Sequence, residues 1–161
     1  NAMAHDSRRN GRKNIGNGYR RKKVQQRFSM NWTNNMNHIM CVYIGLARLV
    51  VTVERLPALA EAARKILDAL GYTNVITHLA GETLGWPQEA PYDAILVPAG
   101  APRIPPELVD QLAIGGRLVI PVGTRYEQEL YKIIRHGTNN EVHDLGGCRF
   151  VPLIANGAWE N

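Results

Sequence analysis

Residues 50–55 read Val-Val-Thr-Val-Glu-Arg, an apolar β-branched run that ends in a carboxylate and is followed by Leu56-Pro57 and a long helical pattern. β-Branched residues favour a strand. In a parallel α/β sheet an acid at the C-terminal tip of the second strand is placed to accept two hydrogen bonds from the cis-diol of a ribose. Working downstream, Pro57 opens a helix whose apolar positions Leu59, Ala62, Ala63, Ile66, Leu67 and Leu70 recur at spacings of three and four, and Gly71 closes it. Residues 74–79 read as a strand, 80–87 as a loop and 92–97 as a buried strand ending in the small-residue loop Pro98-Ala99-Gly100-Ala101-Pro102. A helix through Leu108, Val109 and Leu112, a turn at Gly115-Gly116 and a strand over 117–122 follow. Strands over 129–135 and 141–145 are expected to form a hairpin about Asn139-Asn140, and residues 149–154 close the chain as an apolar segment.

This alternation predicts an α/β fold with a mostly parallel sheet and an antiparallel hairpin at its C-terminal end. Ligands in such sheets sit beyond the C-terminal strand tips. That rule brings Glu54, the loop at 81–83 and the loop at 98–102 to one edge.

Upstream the character changes. Residues 1–40 hold nine Lys or Arg against one acid, a charge of +8, whereas the remaining ten basic and thirteen acidic residues give −3. The overall +5 therefore belongs to the N-terminal segment and not to the domain. Its Asn, Arg, Lys and Gly-rich composition cannot offset the entropy of ordering without help from elsewhere. Arg20-Arg21-Lys22-Lys23, with Tyr19, Phe28 and Trp32 nearby, offers phosphate contacts and stacking faces, but a solvated basic tail is the plainer reading. The sequence thus divides into a basic segment, 1–38, disordered or atypical, and an α/β domain, 39–161. Residues 39–49 are apolar on too many positions for periodicity to decide. A strand at 39–44 parallel to 50–54 would leave only about five connecting residues where a parallel crossover needs about a dozen. A buried helix leading into the strand, or a strand pairing elsewhere, fits better.

Cys41 and Cys148 show no ligand spacing and read as buried thiols, so neither a disulfide framework nor a metal site is indicated. His5, His38, His78, His136 and His143 are scattered and suit surface or capping roles, and no catalytic triad is visible. Trp86 reads as a packing residue beneath the 80–87 loop, and Arg103 as a loop charge able to attract a substrate carboxylate. No apolar run approaches the roughly 20 residues of a membrane span, and a cytoplasmic location is expected.

Four segments, VVTVERLPALAEAARKILDALGYTNV (50–75), TLGWPQEAPYDAILVPAGAPRIPPELVDQL (83–112), GGRLVIPVG (115–123) and DLGGCRFVPLI (144–154), resemble the protein-L-isoaspartate O-methyltransferases, in order and at nearly that family's spacing. The resemblance implies a Rossmann-like class I methyltransferase sheet that binds S-adenosylmethionine and methylates isoaspartyl carboxylates in damaged proteins or peptides. Carried over by position, it implies cofactor contacts from Glu54, Arg55, Gly81, Glu82, Thr83, Pro98 and Ala99, and substrate contacts from Ala101, Arg149, Val151 and Pro152. Gly81 stands where the family has an Asp that approaches the adenine, and Glu82 follows it. The family's first strand and its glycine-rich loop, of the form E-I-G-T-G-S-G-Y, have no counterpart in residues 1–49. The segment 4–40 reads as a replaced or reading-frame-altered N-terminus, leaving the central strand position missing or filled by something else. The alternative is a catalytically inactive remnant of the fold acting as a binding or self-associating module with a basic arm. In that reading self-association fills the gap, and nucleic acid is the less favoured partner.

Overall fold

The computed structural model describes residues 23–28, 44–156 and 158–159. Its centre is a seven-stranded sheet of order β3-β2-β1-β4-β5-β6-β7. The strands are β1 (Lys23–Phe28), β2 (Leu49–Glu54), β3 (Val75–Leu79), β4 (Tyr92–Leu96), β5 (Leu112–Gly123), β6 (Gln128–His136) and β7 (Asn139–Cys148). β1 to β5 run parallel, β6 is antiparallel to β5, and β7 is antiparallel to β6. Helix α1 (Pro57–Ala69) joins β2 to β3, and the short helix α2 (Pro106–Asp110) leads into β5. This is the Rossmann-like methyltransferase sheet that the resemblance implied, with the antiparallel hairpin at its C-terminal end.

The central position is filled, and by an unexpected segment. Lys23-Val24-Gln25-Gln26-Arg27-Phe28, from the basic stretch, pairs with all six residues of β2 and with residues 94–96 of β4. The first strand is therefore replaced rather than missing. Its start is tied to the start of β4: the Lys23 backbone N–H donates to Asp93 Oδ2 at 2.7 Å, and the Lys23 ammonium lies 3.2 Å from Glu89 Oε2 and 5.3 Å from the centre of the Tyr92 ring. The Arg20–Lys22 run, Trp32 and Cys41 lie outside the described residues.

Alternation along the strands sorts the core onto the two faces of the sheet. Val24 and Val50 pack with Ile44, Ala47 and Leu67 on one face. Val51 and Ile95 pack with Tyr92, Leu108, Leu112, Leu118 and Ile120 on the other. Gln25 stands level with Val51 and Ile95, so its amide enters this second core, fully buried and with no hydrogen-bond partner for either polar atom among the described residues.

Helix α1 ends as its glycine predicts. Gly71, at φ 74°, lets its own N–H reach Asp68 O and the Tyr72 N–H reach Leu67 O, the paired bonds of a Schellman cap. Residues 44–46 are helical, consistent with a helix leading into β2.

Three local expectations are corrected. The hairpin turns at Gly137-Thr138, with His136 opposite Asn139, so Asn139-Asn140 begin β7. A two-residue loop needs a positive φ at its first position, which Gly137 supplies at 74°. The helix after Pro105 stops at Asp110 because Leu112 is already paired with Tyr92. Gly115-Gly116 do not end an element. They form a bulge inside β5, where Tyr92 pairs with Leu112 but Ala94 pairs with Arg117. A Cβ on Gly116 would lie 2.8 Å from the carbonyl oxygens of Ala113 and Tyr92, so only glycine fits there.

Candidate functional site

The parallel strands end along one edge, and the site is built there from two regions. The first surrounds the tip of β2. Glu54 is 2% exposed, stands level with Leu79 of β3 and residue 28 of β1, and its Oε1 accepts from the Leu56 N–H at 2.9 Å. That bond sets the carboxylate at the start of α1, where the helix dipole favours negative charge. The Glu54 carbonyl also receives the Ala80 N–H at 2.8 Å, which fastens the 80–87 loop to the strand tip. Arg55, by contrast, is exposed on the bend that follows.

Beside this tip lies a cleft of about 260 Å³ lined by Leu79, Gly81, Glu82, Thr83, Trp86 and Gln88 among others. Gly81, Glu82 and Thr83 are all exposed at its mouth. Its shape is held by Gln111, a residue with no local sequence signal for such a role. Gln111 is 5% exposed; its Nε2 donates to Leu84 O at 2.8 Å and Glu107 O at 2.9 Å, and its Oε1 accepts from the Trp86 N–H at 2.9 Å. Gly85, at φ 83°, lets the loop pass, since a Cβ there would lie 2.4 Å from Gln111 Oε1. Trp86 packs against the core and stacks on His78, ring centres 3.9 Å apart. His78 is thus half-buried rather than a surface group, and burial holds its pKa below the usual histidine value against the pull of Glu89. Beneath, the Tyr92 hydroxyl donates to Trp86 O at 2.6 Å, and burial, reinforced by Glu89, raises its pKa well above the ordinary tyrosine value.

The second region joins the 98–102 loop to the closing segment. Gly100 bridges Pro152: its N–H donates to Val151 O and its carbonyl accepts from the Leu153 N–H, each at 2.8 Å. Ala101 has no exposed surface, and both its backbone groups pair with β5, at Pro121 O and Gly123 N. Ala99 is likewise buried, and Pro98 is half-buried. These small residues support the edge from below. Arg149, Val151 and Pro152 line an open groove of about 640 Å³ together with Arg125, Tyr126 and Phe150. The predicted residues Arg149, Val151 and Pro152 therefore meet in one place, whereas Arg125 and Tyr126 enter it from a loop that carried no recognisable motif. Arg103 is exposed and does not line the groove.

A second buried glutamine organises this region. Gln128, 4% exposed, donates from Nε2 to Thr124 O at 2.6 Å and accepts at Oε1 from the Phe150 N–H at 2.7 Å. Gly100 leaves room for it, since a Cβ there would lie 3.1 Å from Gln128 carbons. A glutamine at a strand start carries no signal in sequence, because its partners are 4 and 22 residues away.

Among the described residues no group of three or more His, Cys, Asp or Glu could hold a metal ion, and no helix is long and apolar enough to cross a membrane. Cys148 is a half-buried free thiol, its pKa raised by burial and by Glu129. His136 and His143 flank Glu141 on the exposed hairpin, 3.1 and 2.7 Å from its oxygens, toward the turn end of β6 and β7, and line neither cleft.

Comparison with known proteins fits this geometry. The family described as Protein-L-isoaspartate(D-aspartate) O-methyltransferase (PCMT) matches residues 35–158, so β1 lies outside the match. Protein-L-isoaspartate O-methyltransferase 1 of Syntrophobacter fumaroxidans is 53% identical over 120 residues, covering 74% of this chain and 56% of the relative. The Syntrophus aciditrophicus enzyme of that name is 53% identical over 117 residues, covering 71% and 54%. Among solved structures, a protein-L-isoaspartate O-methyltransferase superposes with a TM-score of 0.72 at 25% identity, covering 85% of this chain and 43% of that one. A Plasmodium falciparum protein solved with S-adenosyl-L-homocysteine shares the fold, with a TM-score of 0.59 at 24% identity over 81% of this chain and 64% of its own. The chain spans about half the length of the curated relatives it matches. With a family match over most of its length and relatives at half identity, the chain belongs to the protein-L-isoaspartate (D-aspartate) O-methyltransferase family.

Proposed function

We propose that this chain binds S-adenosylmethionine at the Glu54 edge and directs methyl transfer to isoaspartyl carboxylates of proteins or peptides lying in the Arg149–Pro152 groove. The observation that carries this reading is the buried Glu54 carboxylate at the tip of β2, fixed by Leu56 and level with Leu79, which lines the Gly81–Gln88 cleft. A fixed carboxyl acceptor suits a ribose diol, and a neighbouring cleft lined by the Gly81–Gln88 loop suits a flat base, so the residues present fit the nucleoside end of the cofactor. Glu54 would hold the ribose, the Gly81–Thr83 loop would border the base, and the Pro98–Gly100 turn would lie beneath the reacting end. Residues 29–43, which follow β1 in sequence, contain no glycine, so the fit extends to the nucleoside end and not to the family's glycine loop.

When bound, the cofactor supplies a methyl group already activated on a sulfonium. A carboxylate is already a nucleophile at neutral pH, so the chain's own residues have no proton to move. Their work is to align oxygen and methyl and to keep water out. The Gly100–Pro152 bridge serves that end by locking the peptide-side wall to the sheet edge. A cytoplasmic protein-repair role accords with this chemistry.

The test is calorimetric titration with S-adenosylhomocysteine. Binding in the micromolar range is expected, with Glu54→Ala weakening it by about 100-fold, a loss of two charge-assisted hydrogen bonds. Absence of heat at millimolar ligand would leave the second reading, an inactive binding or self-associating module. That reading is favoured by one observation, the polar replacement strand β1 with Gln25 unpartnered in the core. Sedimentation of the full chain then distinguishes self-association from a monomer.

A further inference from the structure

Resting on the proposed function, we propose that the Arg125–Arg149 groove selects peptides carrying an acidic residue beside the methylated site. Arg125 and Arg149 face one groove whose other walls among the described residues, Tyr126, Phe150, Val151 and Pro152, carry no carboxylate. This concentration of positive charge runs against its surroundings, since residues 41–161 carry −3 overall.

The two arginines are brought together by one buried side chain. Gln128 grips the carbonyl of Thr124, the residue before Arg125, and the N–H of Phe150, the residue after Arg149. Each arginine therefore sits one residue from an anchored point. Arg125 is oriented further by stacking its guanidinium over the Trp159 ring, 5.0 Å from the ring centre, while Trp159 Nε1 donates to Gly100 O at 3.1 Å. The chain of contacts from Arg125 through Trp159 reaches the Gly100 carbonyl, which also receives the Leu153 N–H. Arg149 has no carboxylate within 4 Å among the described residues.

Charge complementarity commits the occupant. Two guanidiniums match one or two carboxylates, and the apolar floor of Val151 and Pro152 suits the body of an extended peptide. A nucleic acid strand would bring its repeating charge against the net-negative domain beyond the groove.

The experiment measures binding of dye-labelled isoaspartyl hexapeptides to the full chain by fluorescence anisotropy, the peptides differing only in a Glu, Gln or Lys next to the isoaspartyl residue. The Glu peptide is expected to bind about fivefold tighter than the Gln peptide, the scale of one exposed ion pair, and the Lys peptide weakest. Raising salt should shrink the difference. Arg125→Gln and Arg149→Gln should each remove most of it, Arg125→Lys should retain part, and Arg103→Gln should leave it intact, with thermal melts confirming that each variant folds. Equal affinities for the Glu and Gln peptides, discrimination that survives both glutamine variants, or a short RNA that displaces the Glu peptide would overturn the proposal. The same samples titrated with S-adenosylhomocysteine separate the two readings. Peptide discrimination without cofactor binding would sink the methyltransferase reading alone, and cofactor binding without discrimination would sink this one alone.

Discussion

β1 and β2 lie side by side in the middle of the sheet, parallel and paired over all six residues, yet they are strands for different reasons. Leu49–Glu54 is apolar and β-branched until its final carboxylate, and five of its six residues are buried. Lys23–Phe28 has one apolar residue, Val24, in its first four, and its glutamine at position 25 is sealed into the core without partners. β2 is a strand by its own composition. β1 is a strand because the facing edges of β2 and β4 each present a row of backbone groups that must be paired. Six backbone ladder positions outweigh one poorly chosen side chain.

The contrast can be broken by exchanging the character of the two strands. Val50→Gln would place in β2 the kind of amide that β1 carries. Val50 has no exposed surface and sits among Ile44, Ala47 and Leu67, so a loss of about 3 kcal/mol is expected in urea denaturation. A loss below about 1 kcal/mol would show that this core adapts to buried amides.

Gln111 sharpens the comparison, because it is a buried glutamine whose three partners are all present. Gln111→Leu should cost about 2 kcal/mol by stranding Leu84 O, Glu107 O and the Trp86 N–H, and should also loosen the cleft beside Glu54. Stability unchanged in Gln111→Leu would mean that water replaces the amide. The converse variant, Gln25→Val, should raise stability by about 1–2 kcal/mol, since it removes two unpaired polar atoms from among Val51 and Ile95. A destabilised Gln25→Val would show that the amide is hydrogen-bonded in solution and that β1 is better matched to its slot than its composition suggests.

The smallest effect is read from pH on β4, the other neighbour of β1. Tyr92 has its folded-state pKa raised by burial first and Glu89 second, so the folded protein favours the protonated phenol. That contribution is complete below the unfolded value near 10 and is lost as pH rises through it toward the raised folded value. Stability should therefore fall above pH ~10, and Tyr92→Phe should flatten the decline while lowering stability at pH 7 by about 1 kcal/mol. An alkaline decline equally steep in Tyr92→Phe would assign it to other groups.

Much of the fold could be read locally. The helix after Pro57 and its closure at Gly71, the strand ending at Glu54 and the buried strand read over 92–97, which ends one residue earlier at Leu96, follow from periodicity, β-branching and glycine placement. The strand-tip edge expected to gather Glu54, residues 81–83 and residues 98–102 follows from the parallel order. The turn at Gly137 and the bulge at Gly115-Gly116 were harder. Each depends on which strand lies opposite, and sequence windows carry no register. The candidate site divides in the same way. Arg149, Val151 and Pro152 sit in a recognisable motif, while Arg125, Gln111 and Gln128 act through partners from other segments and gave no signal.

The sequence by itself determined the β2–α1–β3 unit, the acid at its tip and the family to which residues 50–154 conform, because those rest on local propensity and on ordered motifs. Only the tertiary structure decided that Lys23–Phe28 completes the sheet and that two buried glutamines hold the clefts. Both depend on backbone or amide groups finding partners across the fold, and the need to satisfy such groups is set by neighbours in space.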